Sequence, residues 1–539
     1  MNDFFFRTED IKLEHIQDFF VETTQDREVI NALKNRNPII LIGSRGVGKS
    51  FLLKITQKEL LDNFEKDRVF PVYISFIKSS LLQTNDKFQF MNWMLAKICT
   101  SILTSLSKYG LFTKAPQENL LQGQNGSLFT KKEDIEQLIE QYEESWKMPN
   151  SNIDSRYKIE SLDILKESIE SLAENLKIER FALLIDEAAH IFLPEQQRQF
   201  FTLFRDLRSP YITCNAAVYP GVTSYGETFQ PVHDATVLSI DRNILDKDYV
   251  DKMRDIIETQ ANSSLSKNIA QHKENFAILA YAATGNPRLL LKTVARAPKM
   301  NSKEVNEVIK EFYRTEIWSE HSTLVGKYTG HQLLIDWGRN FLENNVLLTL
   351  KERNTSTLAE EENTYSSAFF WIQRESPEAV QEAIRILTYT GIVIENASGI
   401  KAVRDEIGNR YTVNLGCLFA LEAMPSDTAF KIASNLKIKR MLQFSSNSKV
   451  YDSLTTGIES SLPFKEINEN LKNQLDKSME VLDISQWQKE KLRELNLITI
   501  RDVLGATESE LKKAAYIGQI RARKIKNTVM AAVLEYLSG

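Results

Sequence analysis

The sequence predicts an α/β fold, a parallel sheet with flanking helices, in a chain whose 539 residues are enough for three or four domains. Three observations carry this. The apolar run Ile39–Ile42 enters Gly43-Ser44-Arg45-Gly46-Val47-Gly48-Lys49-Ser50, after which Phe51-Leu52-Leu53-Lys54-Ile55 begins a helix. A second buried strand, Arg180-Phe-Ala-Leu-Leu-Ile-Asp-Glu-Ala-Ala189, runs through apolar residues into Asp186-Glu187. From 243 to about 325 the pattern is helical, with no strand alternation.

The loop at 43–50 satisfies G-x-x-x-x-G-K-[ST] between a strand and a helix, the context that motif requires. Its glycines let backbone N–H groups turn toward phosphate oxygens, and the helix N-terminus adds positive potential there. Lys49 can reach the β- and γ-phosphates of a nucleoside triphosphate, and the Ser50 hydroxyl can ligate Mg²⁺. Asp186 would hold the Mg²⁺ shell, and Glu187 would orient or deprotonate the attacking water. Lys49, Asp186 and Glu187 are thus the candidate catalytic residues.

Bulk properties narrow the class. At 42% hydrophobic and 26% charged, the composition is that of a soluble globular protein. A net charge of −5 gives no general affinity for nucleic acid. Cys99, Cys214 and Cys417 have no metal or redox spacing and suit a reducing cytoplasm as small core residues. Met1–Asp10 lacks the features of a signal peptide, and no run of 18 apolar residues exists, so no membrane partner is expected.

The elements follow in order. Residues 1–36 form an opening segment and a helix around Asp26–Leu33. Asp67–Ile77 is a strand, with Pro71 pointing to an edge or bulge. Residues 87–107 form an amphipathic helix, and the polar stretch 110–160 is a variable insertion. The helix Asp154–Leu176 leads to the strand ending in Asp186-Glu187. The helix Gln196–Leu207, the strand Tyr211–Tyr219 and the short strand Thr236–Ile240 complete the core. A polar residue near the end of strand Tyr211–Tyr219 could sense the γ-phosphate; Asn215 and Tyr219 are both candidates. Farther on, Gly285-Asn286-Pro287 ends one helix and starts another, placing Arg288 on its first turn.

The order of these motifs, with Gly285-Asn286-Pro287-Arg288 as the most specific part, resembles AAA+ ATPases over roughly residues 15–325. The resemblance is to the origin-recognition-complex branch and the neighbouring STAND ATPases. It implies an α/β P-loop NTPase core at 1–242 and a helical lid at 243–325 that bind and hydrolyse ATP with Mg²⁺. By the same resemblance Arg288 contacts the γ-phosphate from the lid. Arg205 and Arg208 stand where a neighbouring subunit's arginine finger is found, which implies self-association; both also suit solvated helix-end charges.

Residues 330–440 resemble a winged-helix domain. Helical patterns at His331–Leu342 and Ser366–Arg374 precede a would-be recognition helix within Pro377–Tyr389. Gly391–Glu395, a turn at Asn396–Gly399 and strand candidates around Gly408-Asn409 make a hairpin wing. The recognition helix is acidic, which argues against major-groove reading. Residues 441–485 read as a linker.

The C-terminal module, 486–539, is small and all-α, with Thr507 and Glu510 in capping-box spacing. Its turn at Tyr516–Ile520 resembles a helix-hairpin-helix, with Gly518 as the turn residue. Residues 512–526 carry a local charge of +6, so Gly518, Arg521, Arg523 and Lys524 are candidate DNA contacts.

Two function classes follow, with a third held against them. One is a cytoplasmic AAA+ switch that acts on or senses DNA, its nucleotide state controlling lid and assembly. The other is a STAND-like signalling ATPase, in a setting such as bacterial antiviral defence, that activates a separately encoded effector. A scaffold with a silent nucleotide site is disfavoured by Lys49, Asp186 and Glu187 all being present.

Overall fold

The computed structural model describes residues 4–76, 87–111, 139–140, 162–188, 194–220, 223, 225, 228–240, 242–327, 331–359, 365–402, 406–454, 475–482 and 484–538. Most of the 110–160 insertion lies outside them. They form two compact units: Met1–Ser266 with Gly285–Ala295, and Lys267–Thr284 with Arg296–Gly539.

The first unit is a three-layer α/β body. Strands β1 (Ile39–Ile42), β2 (Val69–Ser75), β3 (Arg180–Asp186), β4 (Ile212–Val218) and β5 (Thr236–Ser239) form a sheet of order β2-β3-β4-β1-β5, every pair parallel. β3 and β4 are buried along their whole length, which is why they read as unbroken apolar runs. Helices α1 (Thr24–Lys34) and α2 (Lys49–Asp62) cover one face, where Val29, Ile30, Leu52 and Leu53 meet Ile39, Leu41, Leu184 and Ala217. Helices α3 (Lys87–Lys108), α4 (Leu162–Asn175) and α5 (Pro194–Asp206) cover the other through Trp93, Ile169, Phe200 and Phe204. Pro71 sits on β2, the edge strand, where its missing N–H is tolerated. Parallel strands bring the chain to the same sheet edge each time, so the glycine loop, Asp186-Glu187 and Tyr219 all emerge together.

The second unit holds a second sheet of β6 (Phe369–Gln373), β7 (Val393–Lys401), β8 (Ile407–Val413) and β9 (Leu442–Phe444), in the order β7-β8-β6-β9. Several expectations need correction here. Ser366–Arg374 is not helical: Phe369-Phe370-Trp371-Ile372 is buried strand β6, as its aromatic, β-branched composition favours. The turn expected at Asn396–Gly399 lies inside β7, where the register shifts twice and Gly399 takes φ +66°. Gly408-Asn409 belongs to β8, which pairs antiparallel with both β6 and β7. Residues 445–454 are packed rather than linking: Tyr451 and Leu454 are buried, and Trp337 Nε1 donates to Ser453 Oγ at 3.1 Å.

Around the sheet stand α6 (Gln332–Asn340), α7 (Glu378–Tyr389) and the C-terminal α8 (Gln519–Ser538). Helix α7 packs against both α6 and α8. Arg385 on α7 is held by Glu378 and Glu382 of the same helix, so its cation is already balanced. The C-terminal module has its own core of Leu492, Val503, Leu511, Ala522, Ile525 and Val529. Thr507 and Glu510 make the capping box their spacing predicts, as do Ser485 with Gln488 and Thr499 with Asp502. Cys99, Cys214 and Cys417 are all buried thiols. No described helix is long and apolar enough to cross a membrane.

Candidate functional site

The glycine loop is shaped by two left-handed residues, Gly46 at φ +90° and Gly48 at φ +109°, the second capping α2. A Cβ on Gly46 would stand 2.8 Å from Asn286 Oδ1, so the loop and the Gly285–Arg288 turn approach as closely as glycine permits. Asn286 Nδ2 donates to Arg45 O at 2.8 Å, and Arg242 Nη1 donates to Val47 O at 2.7 Å. Gly285 takes φ +78°, and its N–H donates to the Tyr249 hydroxyl at 2.8 Å. The loop is thus braced from both sides by polar side chains.

Lys49 is buried and folded back: its Nζ donates to Gly43 O at 2.6 Å and Ser44 O at 3.1 Å, and lies 4.0 Å from the Tyr219 ring centroid. Burial pushes the Lys49 ammonium down to about 8, against the pull of Asp186 and Glu187. A buried lysine spending its donors on loop carbonyls fits a group that exchanges them for phosphate oxygens.

Both acidic candidates are held by tyrosines. Tyr73, on β2, donates to Asp186 Oδ2 at 2.6 Å, while Asp186 Oδ1 accepts from Glu187 N at 3.0 Å. Tyr219, just past β4, donates to both Glu187 carboxylate oxygens at 3.0 Å. Glu187 takes φ +57°, a conformation a non-glycine residue adopts only under local constraint. Lys54 lies 3.4 Å from the Tyr73 ring centroid.

Beside them lies a cavity of about 330 Å³ whose wall includes Gly46–Ser50, Glu187, Tyr219, Arg242 and Arg288. Four arginines, Arg7, Arg45, Arg242 and Arg288, line it. Arg288 is held below the usual arginine range, first by burial and then by the Arg45 and Arg7 charges. Crowded like charges of this kind are relieved by an anion. Sequence reasoning passed over the opposite wall: Phe5, Phe6, Phe19 and Phe20, from the opening segment. That segment is tied down by Phe5 N donating to Gln260 Oε1 at 2.9 Å and by Arg288 Nε donating to Phe6 O at 3.0 Å. The signal was present in Phe4-Phe5-Phe6 and Phe19-Phe20, aromatic residues outside any helical or strand period.

The fit of a nucleoside triphosphate with Mg²⁺ can be judged on these residues. The Gly46 cradle would be filled by any Cβ, the loop N–H groups stand at a helix start, Ser50 follows Lys49 on the cavity wall, and the Asp186 carboxylate acts electrostatically on Lys49, so hard oxygen donors are at hand. The donor set fits.

Other candidates fall elsewhere. Asn215 does not reach the site: it pairs with Ile39 at the start of β1, fully buried, accepting from Ile39 N at 3.1 Å and donating to Leu33 O at 3.2 Å. Its amide splices α1 to the sheet, and of the two candidates Tyr219 is the one that lines the cavity. Arg205 donates to Asp206 Oδ1 at 2.8 Å and Thr228 O at 2.6 Å; Arg208 donates to Asp234 O at 3.4 Å. Neither lines this chain's own cavity. In the C-terminal turn the left-handed residue is Tyr516, φ +69°, and not Gly518, whose added Cβ would meet nothing. Arg523 is engaged by Glu508 Oε1 at 3.0 Å and Asn447 Oδ1 at 2.9 Å, while Arg521 and Lys524 are exposed.

Similar solved structures are the ORC1 protein of Aeropyrum pernix in complex with DNA (13% identity, 78% of this chain and 93% of that one, TM-score 0.32) and a Walker-type ATPase of Pyrococcus abyssi (13%, 79% and 97%, 0.34). A third is the ORC2 protein of Aeropyrum pernix in ADPNP–ADP complexes (11%, 78% and 92%, 0.31). No curated protein matches the chain by sequence. A family model described as ORC-CDC6-like matches residues 4–366, spanning the opening segment, the glycine loop, Asp186-Glu187 and Gly285–Arg288. The chain belongs to the ORC-CDC6-like family of AAA+ ATPases.

Proposed function

We propose that this protein is an ATP-binding and ATP-hydrolysing switch that acts on or senses DNA, its nucleotide state controlling lid and assembly. The observation that carries the reading is one cavity lined jointly by the buried Lys49 at the glycine loop, by Glu187 and by Arg288.

On this reading Lys49 exchanges the Gly43 and Ser44 carbonyls for β- and γ-phosphate oxygens. Backbone N–H groups of 46–50 bind phosphate, and the Phe5, Phe6, Phe19 and Phe20 wall accepts the base. Ser50 and Asp186 would hold Mg²⁺, which when bound supplies charge neutralisation on the phosphates. Tyr73 keeps Asp186 turned to that place. Glu187 takes the proton of the attacking water, oriented by Tyr219 in the sensor position, and Arg288 meets charge building on the γ-phosphoryl. Arg205 or Arg208 serves a neighbouring subunit.

The β7–β8 hairpin beside α7 supports a winged-helix reading. The internal balance of Arg385 and the packing of α8 on α7 favour the C-terminal module as the DNA contact. Membership of the ORC-CDC6-like family supports the DNA-acting reading over the signalling one.

The test is steady-state phosphate release with Mg²⁺. Glu187→Gln is expected to lower turnover at least about 100-fold with ATP still bound, and Lys49→Ala to weaken ATP binding as well. Unchanged turnover in both variants would remove the enzyme assignment.

A further inference from the structure

Within the C-terminal module, two large apolar side chains stand in water at the tip of the turn leading into α8. Tyr516 is 82% exposed and Ile520 81%, more than any other large hydrophobic side chain among the described residues of that module. Tyr516 is held at φ +69° with its carbonyl accepting from Arg521 Nη1 at 2.7 Å. Arg521 lies 5.2 Å from the ring centroid of Trp487, which fixes the flank of the tip. Lys512, Lys513 and Lys524 are exposed around it, and no acid occurs from 512 to 526. The hydrogen-bond ladder of α8 begins with Ala522 N donating to Gly518 O at 3.0 Å, so the N–H groups of 519–521 face outward from a 20-residue helix.

We propose that this tip is a wedge for DNA whose bases are already unpaired or unstacked, with Tyr516 and Ile520 entering the base stack. The inference rests on the reading of the C-terminal module as the DNA contact and goes beyond it in naming the structure preferred. Two apolar side chains on a convex turn are too little area for a stable protein interface, which needs about 800 Å² from each partner. A wedge needs only one or two such groups, provided cations bind the flanking phosphates, and the exposed Lys512, Lys513 and Lys524 with the α8 N-terminus supply those. Opening a base step is costly in intact duplex and much less so where pairing is already lost, so the wedge selects distorted DNA. Stacking on Tyr516 is tolerant of sequence because every base has a π-face.

The experiment uses the full chain at fixed salt and three labelled DNAs: a duplex of about 30 base pairs, the same duplex with a central mismatched bubble, and one of its single strands. The wild type is expected to bind the bubble about 10-fold more tightly than the duplex. Tyr516→Ser with Ile520→Ser should erase that preference while duplex affinity stays within about 2-fold; both side chains are exposed, so the fold survives. Lys512, Lys513 and Lys524 changed together to Ala should weaken all three DNAs alike and flatten the salt dependence. Equal binding of bubble and duplex by the wild type, or a preference that survives the Tyr516 and Ile520 changes, overturns the wedge while leaving the module as a phosphate contact. Absence of salt-sensitive binding to any of the three overturns the DNA reading itself, and the wedge with it.

Discussion

At the scale of single residues, the two tyrosines decide how the carboxylates are presented. Tyr219 holds both oxygens of Glu187, on a backbone conformation that costs roughly 1 kcal/mol or more for a non-glycine residue. If that hydroxyl orients the base, Tyr219→Phe should lower kcat about 10-fold with KM for ATP within about 2-fold, because the ring near Lys49 remains and only an interaction used in the transition state is lost. Equal kcat in the two proteins would assign Tyr219 to packing. Gly46 tests the cradle. Its φ of +90° and the 2.8 Å approach to Asn286 leave no room for a side chain, so Gly46→Ala should weaken ATP binding at least about 10-fold in a calorimetric titration. The P-loop, Asp186 and Glu187 were legible in the sequence because phosphate chemistry restricts residue type and spacing together. Tyr73 was not, because its role depends on β2 lying beside β3 in register, Ser75 opposite Asp186, a long-range pairing that no local pattern states.

Elements were legible in proportion to how far one face dominated them. Strands β1 to β4 were found because burial makes them nearly continuous apolar runs, whereas the edge strand β5 is largely exposed and is marked by its β-branched and apolar residues; the helices were found because one face alone is buried. The same logic failed at Ser366–Arg374, where a short aromatic run satisfies helix and strand patterns equally, and only pairing with β8 and β9 decides between them. It failed again for the opening segment, whose short 3₁₀ turns at Thr8–Asp10 and Leu13–Phe19 have no long period to read. In the second unit, the helix Ile317–Ser322 carries a fully buried His321 whose ring nitrogens lie 3.3 Å from Thr390 Oγ1 and Ile335 O. Burial pushes His321 down to about 4, with Arg339 adding to the shift and the Ile335 carbonyl opposing it. The unfolded chain, with histidine near 6.5, therefore takes up a proton first as pH falls. The stability His321 contributes is complete above 6.5 and is lost progressively down to about 4. Between pH 7.5 and pH 5 the loss should be about 2 kcal/mol in urea unfolding, and His321→Asn should remove this part of the pH slope. An unchanged slope would show that other groups set the acid sensitivity.

For the whole molecule, the division into Met1–Ser266 with Gly285–Ala295, and Lys267–Thr284 with Arg296–Gly539, cuts through the stretch read from sequence as one helical lid. The chain passes between units three times within 267–296, which puts Gly285–Arg288 against the glycine loop while the helices either side of it belong to the second unit. Sequence could mark that stretch as helical, but not which body each helix joins, since that is set by packing partners far away in the chain. We propose that Arg288, carried on this segment, senses the γ-phosphate, so that nucleotide state, and not a metabolic product, is the output. That claim stands on Lys49 and Glu187 acting at one bound nucleotide. Its most direct test is to load wild type and Glu187→Gln with labelled ATP and Mg²⁺, remove free nucleotide, and identify what stays bound over time. The account predicts conversion to ADP on the wild type and ATP retained on Glu187→Gln. Equal conversion on both proteins, or no nucleotide held by either, would contradict it.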